Sequence, residues 1–487
     1  MSPFHAASGA ELPAEAVSLR LVDTVPAIGH MDPQKRLRQW PDVLRDVPAD
    51  GFALPPGAAQ ALWLTVHVPA PAEPGLYETQ VTVTAEEGAG ATLPVRLVVH
   101  QPTLPDPTAW SFRVDLWQSF GRLGKTYGVP EWGDEWWGIV RTFLQDLAAH
   151  GESVVQVGRA HFDWRRTTTG EWSFGFARFD RYVELCGEVG IDGLIEVLQM
   201  FNGRAESSFS YTDANGKTVT VKANPGDAAF DEAWLAFARA LAAHCRQQGW
   251  LDRLYVCPTD EPQDVYGQPT LDRFKHCRKL LRDADPALRT TCALDSLRSS
   301  RMLAGDIDRF VFKLREDVYD PQLAQELREQ GKLVEAYICC HPDLPNSFIT
   351  SEAIEQRAIG WICRQEQFEG LLRWSYVNWP PDVWNKPEGD GKYAPGDLFI
   401  VYPGDRKPLA STRWERLRDG FEDFEMLRLA QDTIQKSRSP RKSAAQAVYD
   451  AALAEIAGPK GRLTEYTRDA EKLLAARRRL LEAVDDL

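Results

Sequence analysis

Two adjacent carboxylates, Asp260 and Glu261, follow a short apolar segment in LYVCPTDEPQDVYG, residues 254–267. Two neighbouring acids repel each other when both are ionised, so the pKa of one of them is expected to rise. A carboxyl that stays protonated near neutrality can act as a general acid towards, for example, a glycosidic oxygen. Its ionised neighbour can hold a donor or stabilise positive charge. The alternative is that Asp260 caps the following turn and Glu261 pairs with a surface arginine.

The acid pair lies in a region, residues 110–405, where short apolar segments alternate with amphipathic ones. In DEAWLAFARALAAHC, for instance, Trp234, Phe237, Leu241 and Cys245 share one helical stripe with Ala238. Eight strand-helix alternations in this length predict a (β/α)8 TIM-type barrel. An open doubly wound sheet is the alternative, but no GxGxxG follows the first strand. The predicted strands are 111–117, 153–158, 193–200, 254–260, 290–295, 309–314, 333–340 and 370–379.

In a parallel barrel all strands end on one face, and the loops on that face carry function. Three of these loops are long, covering residues 160–179, 201–227 and 379–404, and the second is predicted to form its own hairpin. They combine aromatic residues with Asp, Asn and Arg, a mixture typical of a carbohydrate cleft; some of the aromatics are equally expected to pack the loops. The aromatics are Phe162, Trp164, Trp172, Phe174, Tyr211, Trp379, Trp384 and Tyr393.

The flanking regions have different patterns. Residues 1–105 predict an antiparallel β-sandwich, because segments 60–69, 77–87 and 91–100 alternate apolar and polar residues. Residues 411–487 show helical spacing and predict a packing bundle. The expected organisation is a sandwich at 1–105, a catalytic barrel at 106–410 and a C-terminal helical region at 411–487.

Composition and charge restrict the classes of partner that the protein can bind. The chain has 487 residues, 16 of them tryptophan, and a net charge of −14 without a basic stripe, which disfavours a nucleic-acid partner. No apolar run is long enough to span a bilayer. No secretion signal is visible and no CxxC pair occurs among the eight cysteines, so we expect a cytoplasmic location and reduced thiols.

Several motifs together resemble glycoside hydrolase family 123 and the domain-of-unknown-function-4091 group, whose characterised members are β-N-acetylgalactosaminidases. The motifs are TDEP at 259–262, YICCHPDLPNSFI at 337–349, LLRWSYVNW at 371–379, DGKYAPGDLFIVYPG at 390–404 and STRWERLRDGFEDFEMLRL at 411–429. The resemblance implies a retaining mechanism in which the sugar's 2-acetamido oxygen attacks its own anomeric carbon and gives an oxazolinium intermediate. It also implies that Glu261 is the general acid/base, that Asp260 orients the acetamido N–H, and that no cofactor is needed.

Further residues at the strand ends are candidates for substrate binding. Tyr337 could bind the acetamido oxygen, and Trp374 and Trp379 could wall the sugar subsite; core packing is the alternative for each. Asn378 and Asp382 could bind hydroxyls or form turns. The same picture includes Trp117, Gln118, Asp163 and Trp164.

Three other interpretations stay open. A two-carboxylate glycosidase would need a nucleophile on the seventh strand, where Glu335 looks mid-strand and Asp343 follows a proline. A non-catalytic carbohydrate-binding barrel would keep the aromatics without needing the acid pair. A metal site at Cys339, Cys340 and His341 is disfavoured, because three consecutive ligands do not readily reach one tetrahedral centre.

Overall fold

The computed structural model describes residues 3–85, 88, 90–265 and 267–487. Its N-terminal region forms two antiparallel sheets, with strand orders β2-β1-β6-β7 and β4-β3-β5. Phe4, Leu12 and Tyr77 of the first sheet are buried against Val17 and Val66 of the second, which gives the predicted sandwich its small core. The strands are β1 Phe4–Ala6, β2 Glu11–Leu12, β3 Val17–Ile28, β4 Leu37–Asp46, β5 Ala61–Val66, β6 Gly75–Thr84 and β7 Gly90–Val99. Glu86 and Glu87, at the end of a predicted strand, lie outside the described residues.

The central region alternates strands with helices, as predicted. In chain order it contains β8 Arg113–Leu116, α1 Gly121–Tyr127, α2 Asp134–Ala149, β9 Val154–Val157, β10 Asp163–Arg166, β11 Trp172–Gly175, α3 Ala177–Glu188, β12 Leu194–Leu198, β13 Ser208–Thr212, β14 Thr218–Lys222, α4 Ala228–Gln248, β15 Leu254–Cys257, α5 Thr270–Ala284, β16 Arg289–Leu294, α6 Leu297–Met302, β17 Arg309–Lys313, α7 Pro321–Glu329, β18 Leu333–Ile338, α8 Ala353–Glu366, β19 Gly370–Arg373, β20 Tyr402–Pro403 and β21 Pro408–Leu409. Short 3₁₀ turns occur at Ala14–Ala16, Pro107–Ala109, Arg159–His161 and Leu251–Arg253.

Among the described residues, eight parallel strands form one sheet in the order β8-β19-β18-β17-β16-β15-β12-β9. The two edge strands approach each other through a parallel bridge between Val114 and Glu152. The backbone N–H of Ser153 also donates to the carbonyl of Val114 at 3.0 Å. The sheet is therefore a barrel with a thin seam between its first and second strands, and the predicted fold class is confirmed.

The lower interior of the barrel is polar. The Arg309 guanidinium is fully buried and bonds to Glu335 at 2.5 Å, Asp115 at 2.7 Å and Glu196 at 2.8 Å. Arg113 forms a second ion pair with Glu335 at 2.5 Å. A buried charge is tolerated only when it is paired and hydrogen-bonded, so these residues form a structural floor under the mouth of the barrel.

Two of the long loops build an additional sheet on the barrel rim. Strands from the loops at 160–179 and 201–227 pair in the order β11-β10-β13-β14. The antiparallel β13–β14 pair is the hairpin predicted within residues 201–227. Helix α4 packs beneath this sheet, and the predicted stripe of Trp234, Phe237, Ala238, Leu241 and Cys245 is buried.

The C-terminal region is helical, as predicted, and contains α9 Thr412–Lys436, α10 Lys442–Ala457 and α11 Ala470–Asp485. The side chains of Ser411 and Asp469 cap α9 and α11 by accepting backbone N–H bonds. Helix α9 crosses α8 at very short range, because a Cβ placed on Gly360 would lie 1.8 Å from the backbone oxygen of Gly420. No helix in the described part of the chain is long and apolar enough to cross a membrane.

Candidate active site

The acid pair lies in the loop that leaves β15, at the mouth of the barrel. The N–H of Glu261 donates to the carbonyl of Ala293, at the end of β16, at 3.2 Å. Glu261 has a positive φ of 42°, a left-handed conformation that costs a non-glycine residue about 1–2 kcal/mol. Strained backbone of this kind is concentrated at functional sites.

The carboxylate of Glu261 has three partners. The Tyr337 hydroxyl donates to Oε1 at 2.6 Å, and Lys313 Nζ lies 2.9 Å from the same oxygen. Arg204 Nη2 donates to Oε2 at 2.9 Å. Burial alone would raise the pKa of Glu261, but Lys313, Tyr337 and Arg204 together lower it below its usual value. Glu261 is therefore ionised in the free protein.

The pKa of Asp260 shifts in the opposite direction. Burial, followed by the negative charge of Glu261, raises the pKa of Asp260 to about 7. The expected split between the two acids is thus present, and in the free protein the shared proton resides on Asp260. The resemblance implies that Glu261 is the proton donor, which is the opposite distribution of the proton.

Tyr337, Trp374 and Trp117 come together around one cluster inside the mouth. Both tryptophans pack against buried Tyr337, Cys339 and neighbouring side chains of β16, β17 and β19. The predicted residues on the first, seventh and eighth barrel strands therefore share a surface with the residue that binds Glu261. This surface can hold an apolar sugar face.

Two buried polar atoms beside this surface have no hydrogen-bond partner within the described residues. They are Trp117 Nε1, a donor, and Asp397 Oδ2, an acceptor. The other oxygen of Asp397 accepts the Trp374 indole N–H at 2.8 Å, and the Tyr393 ring lies 5.5 Å from that indole. An unpaired buried polar atom is costly, and a ligand hydroxyl could relieve that cost.

Trp379 does not lie with this group. Its indole N–H donates to the carbonyl of Val401 at 2.7 Å, and its ring packs 5.9 Å from Phe143 and 6.3 Å from Tyr127. The two ring partners, Tyr127 and Phe143, belong to helices α1 and α2 on the outside of the barrel. The position after the strand end turns the side chain into the core, which is the packing alternative foreseen for it.

Trp164 also packs into a core rather than along the cleft. Its ring lies 5.0 Å from Trp234 and 4.7 Å from Phe237, and the Arg159 guanidinium covers it at 4.1 Å. The adjacent Asp163 pairs with Arg178. Both predicted residues thus stabilise the additional rim sheet, as do most aromatics of the loops at 160–179 and 201–227.

Each of the remaining predicted residues is hydrogen-bonded to another group of the protein. Gln118 is buried and accepts a bond from the Tyr182 hydroxyl at 3.2 Å. Asn378 accepts a bond from Arg122 at 2.8 Å. Asp382 is exposed and accepts the backbone N–H of Asn385 at 3.2 Å, the turn geometry considered as its alternative.

Sequence reasoning missed Lys313, Asp295 and Arg204. Lys313 ends β17 and Asp295 immediately follows β16, so the rule that strand ends face the mouth would have selected both. Lys313 Nζ lies 3.9 Å from Asp295 Oδ2 as well as against Glu261. Arg204 lies in a long loop, where no local pattern indicates the direction of a side chain.

The carboxylates considered as seventh-strand nucleophiles are poorly placed. Glu335 belongs to the barrel floor, where it is fully buried and bound by Arg309 and Arg113. Asp343 is exposed and lies 3.8 Å from the His341 ring. Glu335 is thus held in the barrel floor, and Asp343 faces the His341 ring at the surface.

The Cys339–His341 segment does not form a metal centre. In the part of the chain that the structure describes, no group of three or more His, Cys, Asp or Glu side chains could hold a metal ion. Cys339 and Cys340 are free thiols with their sulfur atoms 3.7 Å apart.

Comparisons with known proteins identify a family and a shared fold. The family model described as glycoside hydrolase 123, catalytic domain, matches residues 117–430, a span that contains the acid pair and the clustered tryptophans. A family 123 glycoside hydrolase from Clostridium perfringens, studied for glycolipid glycan hydrolysis, superposes with a TM-score of 0.79 at 19% identity. That match covers 100% of this chain and 87% of the other, and at this identity it shows a shared fold.

The other structural similarities are too weak to indicate a shared fold. The GH2 beta-galacturonidase from Eisenbergiella tayi gives a TM-score of 0.37 at 13% identity, covering 83% of this chain and 67% of that one. The GH10 xylanase from termite gut gives 0.38 at 13% identity, covering 86% and 96%. No curated protein matches this chain.

Proposed function

Because the chain belongs to glycoside hydrolase family 123, we propose that this glycoside hydrolase removes terminal β-linked N-acetylhexosamine with retention of configuration. N-acetylgalactosamine is the expected sugar. The proposed nucleophile is the substrate's own 2-acetamido oxygen, which attacks the anomeric carbon and forms an oxazolinium intermediate.

One observation carries this proposal: two consecutive acids lie at the mouth with their pKa values shifted in opposite directions. Consecutive residues are poorly placed to flank a glycosidic bond from opposite sides, but they can serve the leaving oxygen and the amide from one side. Substrate assistance makes a separate enzyme nucleophile unnecessary. This fits the confinement of Glu335 to the barrel floor.

In the first step, the acetamido oxygen attacks the anomeric carbon and the bond from that carbon to the glycosidic oxygen breaks. Glu261 gives its proton to the departing glycosidic oxygen. Ionised Asp260 accepts a hydrogen bond from the acetamido N–H and stabilises the positive charge of the oxazolinium. In the second step, Glu261 takes a proton from water, which attacks the anomeric carbon and reopens the ring. Two inversions at one carbon give net retention.

The proton can reach Glu261 when substrate binds. A hydrogen bond from the acetamido N–H favours the ionised form of Asp260, and a leaving group that displaces exposed Arg204 removes one cation from Glu261. Both changes move the shared proton from Asp260 towards Glu261.

The first test is a panel of aryl glycosides on the wild-type enzyme and two variants. We expect cleavage of the N-acetyl-β-galactosaminide, compared directly with its gluco epimer, and none of 2-hydroxy sugars. Glu261→Gln should lower kcat by about 10²–10⁴-fold on substrates that need leaving-group protonation. Asp260→Asn should cause a severe loss, about 10²–10³-fold, as for other groups that stabilise developing charge. Wild-type rates in the Asp260→Asn enzyme would refute substrate assistance.

A two-carboxylate mechanism has one specific observation in its favour. Asp295 shares the Lys313 ammonium with Glu261, at 3.9 Å and 2.9 Å, so a second acid does lie near the general acid. In that mechanism Asp295→Asn would abolish turnover and 2-hydroxy sugars would be cleaved. Substrate assistance predicts that Asp295→Asn retains turnover on acetamido sugars.

A further inference from the structure

Two cations contact Glu261 at the same distance but in different surroundings. Lys313 Nζ lies 2.9 Å from Oε1 and Arg204 Nη2 lies 2.9 Å from Oε2. The Lys313 side chain is 4% exposed, whereas that of Arg204 is 61% exposed. Water screens an exposed pair strongly, so most of the electrostatic influence on Glu261 comes from Lys313.

Lys313 is held in place from several sides. It is the last residue of β17, and its ammonium lies 5.3 Å from the centre of the Tyr337 ring and 3.9 Å from Asp295 Oδ2. Tyr337 donates to Oε1 of Glu261, the oxygen that Lys313 also contacts. The inner oxygen of Glu261 is therefore bound twice by rigid barrel strands, whereas Oε2 meets only a side chain from the surface loop.

We propose that Lys313 is a positioning residue for hydrolysis: it fixes Oε1 of Glu261 inside the barrel and leaves Oε2 to exchange the proton with the glycosidic oxygen. Its positive charge also stabilises the carboxylate that remains after Glu261 has given up that proton. The inference deepens the proposed function, because it rests on Glu261 as the acid/base.

The groups that face Glu261 fix the sign of the expected change. Lys313 and Arg204 lower its pKa, and the Tyr337 hydroxyl acts in the same direction. The carboxyl groups of Asp260 and Asp295 and the Cys340 thiol complete the surroundings. Arg204 and, to a smaller extent, Lys313 also lower the pKa of Asp260, so the pKa of Glu261 is the one that distinguishes the two cations.

The test compares the pH dependence of kcat/KM for Lys313→Met, Lys313→Arg and Arg204→Met, using the aryl glycoside that the wild type cleaves best. Lys313→Met should move the acid limb of the profile, which the pKa of Glu261 sets, to higher pH by about one unit or more, the usual effect of losing a close opposite charge. Lys313→Arg keeps the charge and should restore the wild-type profile. Arg204→Met is the matched control and should shift this acid limb much less, because Lys313 lowers the pKa of Glu261 more than Arg204 does. A purely structural role for Lys313 would lower activity without moving the profile.

An infrared titration of the Glu261 carboxyl, identified by its loss in Glu261→Gln, measures the same shift without turnover. It separates failure of this inference from failure of the proposed function, because it remains informative if no glycoside is cleaved. A Glu261 titration that is unchanged in Lys313→Met, or that Arg204→Met moves equally far, would overturn the role of Lys313. Melting temperatures of all variants identify any that fail to fold.

Discussion

The chemistry at the mouth of the barrel depends on one proton shared by two consecutive residues. Burial and the charge of Glu261 place that proton on Asp260, while Lys313 and Arg204 keep Glu261 ionised. The proposed mechanism needs the opposite distribution. In that mechanism substrate recognition and proton placement are coupled, because the acetamido N–H of the proposed sugar is also the group that ionises Asp260.

The pH dependence of kcat/KM follows from this shared proton. The pair holds one proton between the lowered pKa of Glu261 and the pKa of about 7 of Asp260. Above that upper value the pair is fully ionised and Glu261 has no proton to donate; below the lower value Asp260 cannot ionise. We expect a bell-shaped profile whose alkaline limb falls near pH 7. A plateau that continues to pH 9 would contradict this assignment.

At this scale the sequence was informative where a side chain follows directly from a strand end. Asp260, Glu261, Tyr337, Trp117 and Trp374 all lie at the mouth, as predicted from their positions. Trp379 and Trp164 were not distinguishable in advance, because an aromatic residue in a loop can turn either to the cleft or to the core. Which direction each side chain takes depends on the core available to bury it, and no local sequence pattern shows where that core lies.

At the scale of elements, apolar segments located seven barrel strands to within three residues at each end, whereas the eighth, predicted over 370–379, ends at Arg373. In the second N-terminal sheet, β5 lies inside the predicted segment 60–69, but β3 and β4 were not located individually. Asp42, Val43 and Leu44 of β4 are buried in succession, which removes the alternation that identifies a half-exposed strand. This happens because β4 pairs with β3 and also contacts the barrel side, where Leu44 N–H donates to the carbonyl of Ala410 at 2.9 Å.

The crossing of α8 and α9 gives a stability prediction with a matched control. Gly360→Ala should destabilise the protein by at least about 1–3 kcal/mol, because the new methyl group meets the backbone of Gly420 and overpacks the contact. Gly138→Ala should instead stabilise it by about 0.5–1 kcal/mol, since Gly138 lies inside α2 with open space around it. Denaturant unfolding measures both changes, and equal effects of the two substitutions would be inconsistent with close helix packing.

At the scale of the whole molecule, the N-terminal sheets and the barrel are tied by a buried ion pair. Asp42 of β4 accepts bonds from Arg413 at 3.0 Å and from the Tyr402 hydroxyl at 2.7 Å. The same guanidinium donates to the carbonyl of Gly396, next to Asp397 of the candidate site, at 3.1 Å. The sandwich thereby supports the loop that completes the cleft, a long-range role that no local sequence pattern reveals.

Asp42→Asn should therefore lower the free energy of unfolding by about 3–5 kcal/mol, because it leaves the Arg413 charge buried without its counter-ion. The matched control is Asp46→Asn on the same strand, where the exposed acid lies 3.9 Å from Lys407. That surface pair should contribute at most about 1 kcal/mol. If calorimetry shows the two variants to be equally stable, the ion pair does not join the two regions as described.

The most direct test of substrate assistance varies the nucleophile itself. Aryl β-N-acetylhexosaminides whose acetyl group carries increasing numbers of fluorine atoms present a progressively weaker carbonyl nucleophile while keeping the sugar unchanged. If the acetamido oxygen is the nucleophile, kcat/KM falls steadily along this series in the wild-type enzyme. Rates that stay constant across it would show that the acetamido oxygen does not attack the anomeric carbon, and would contradict the roles given to Asp260 and Glu261.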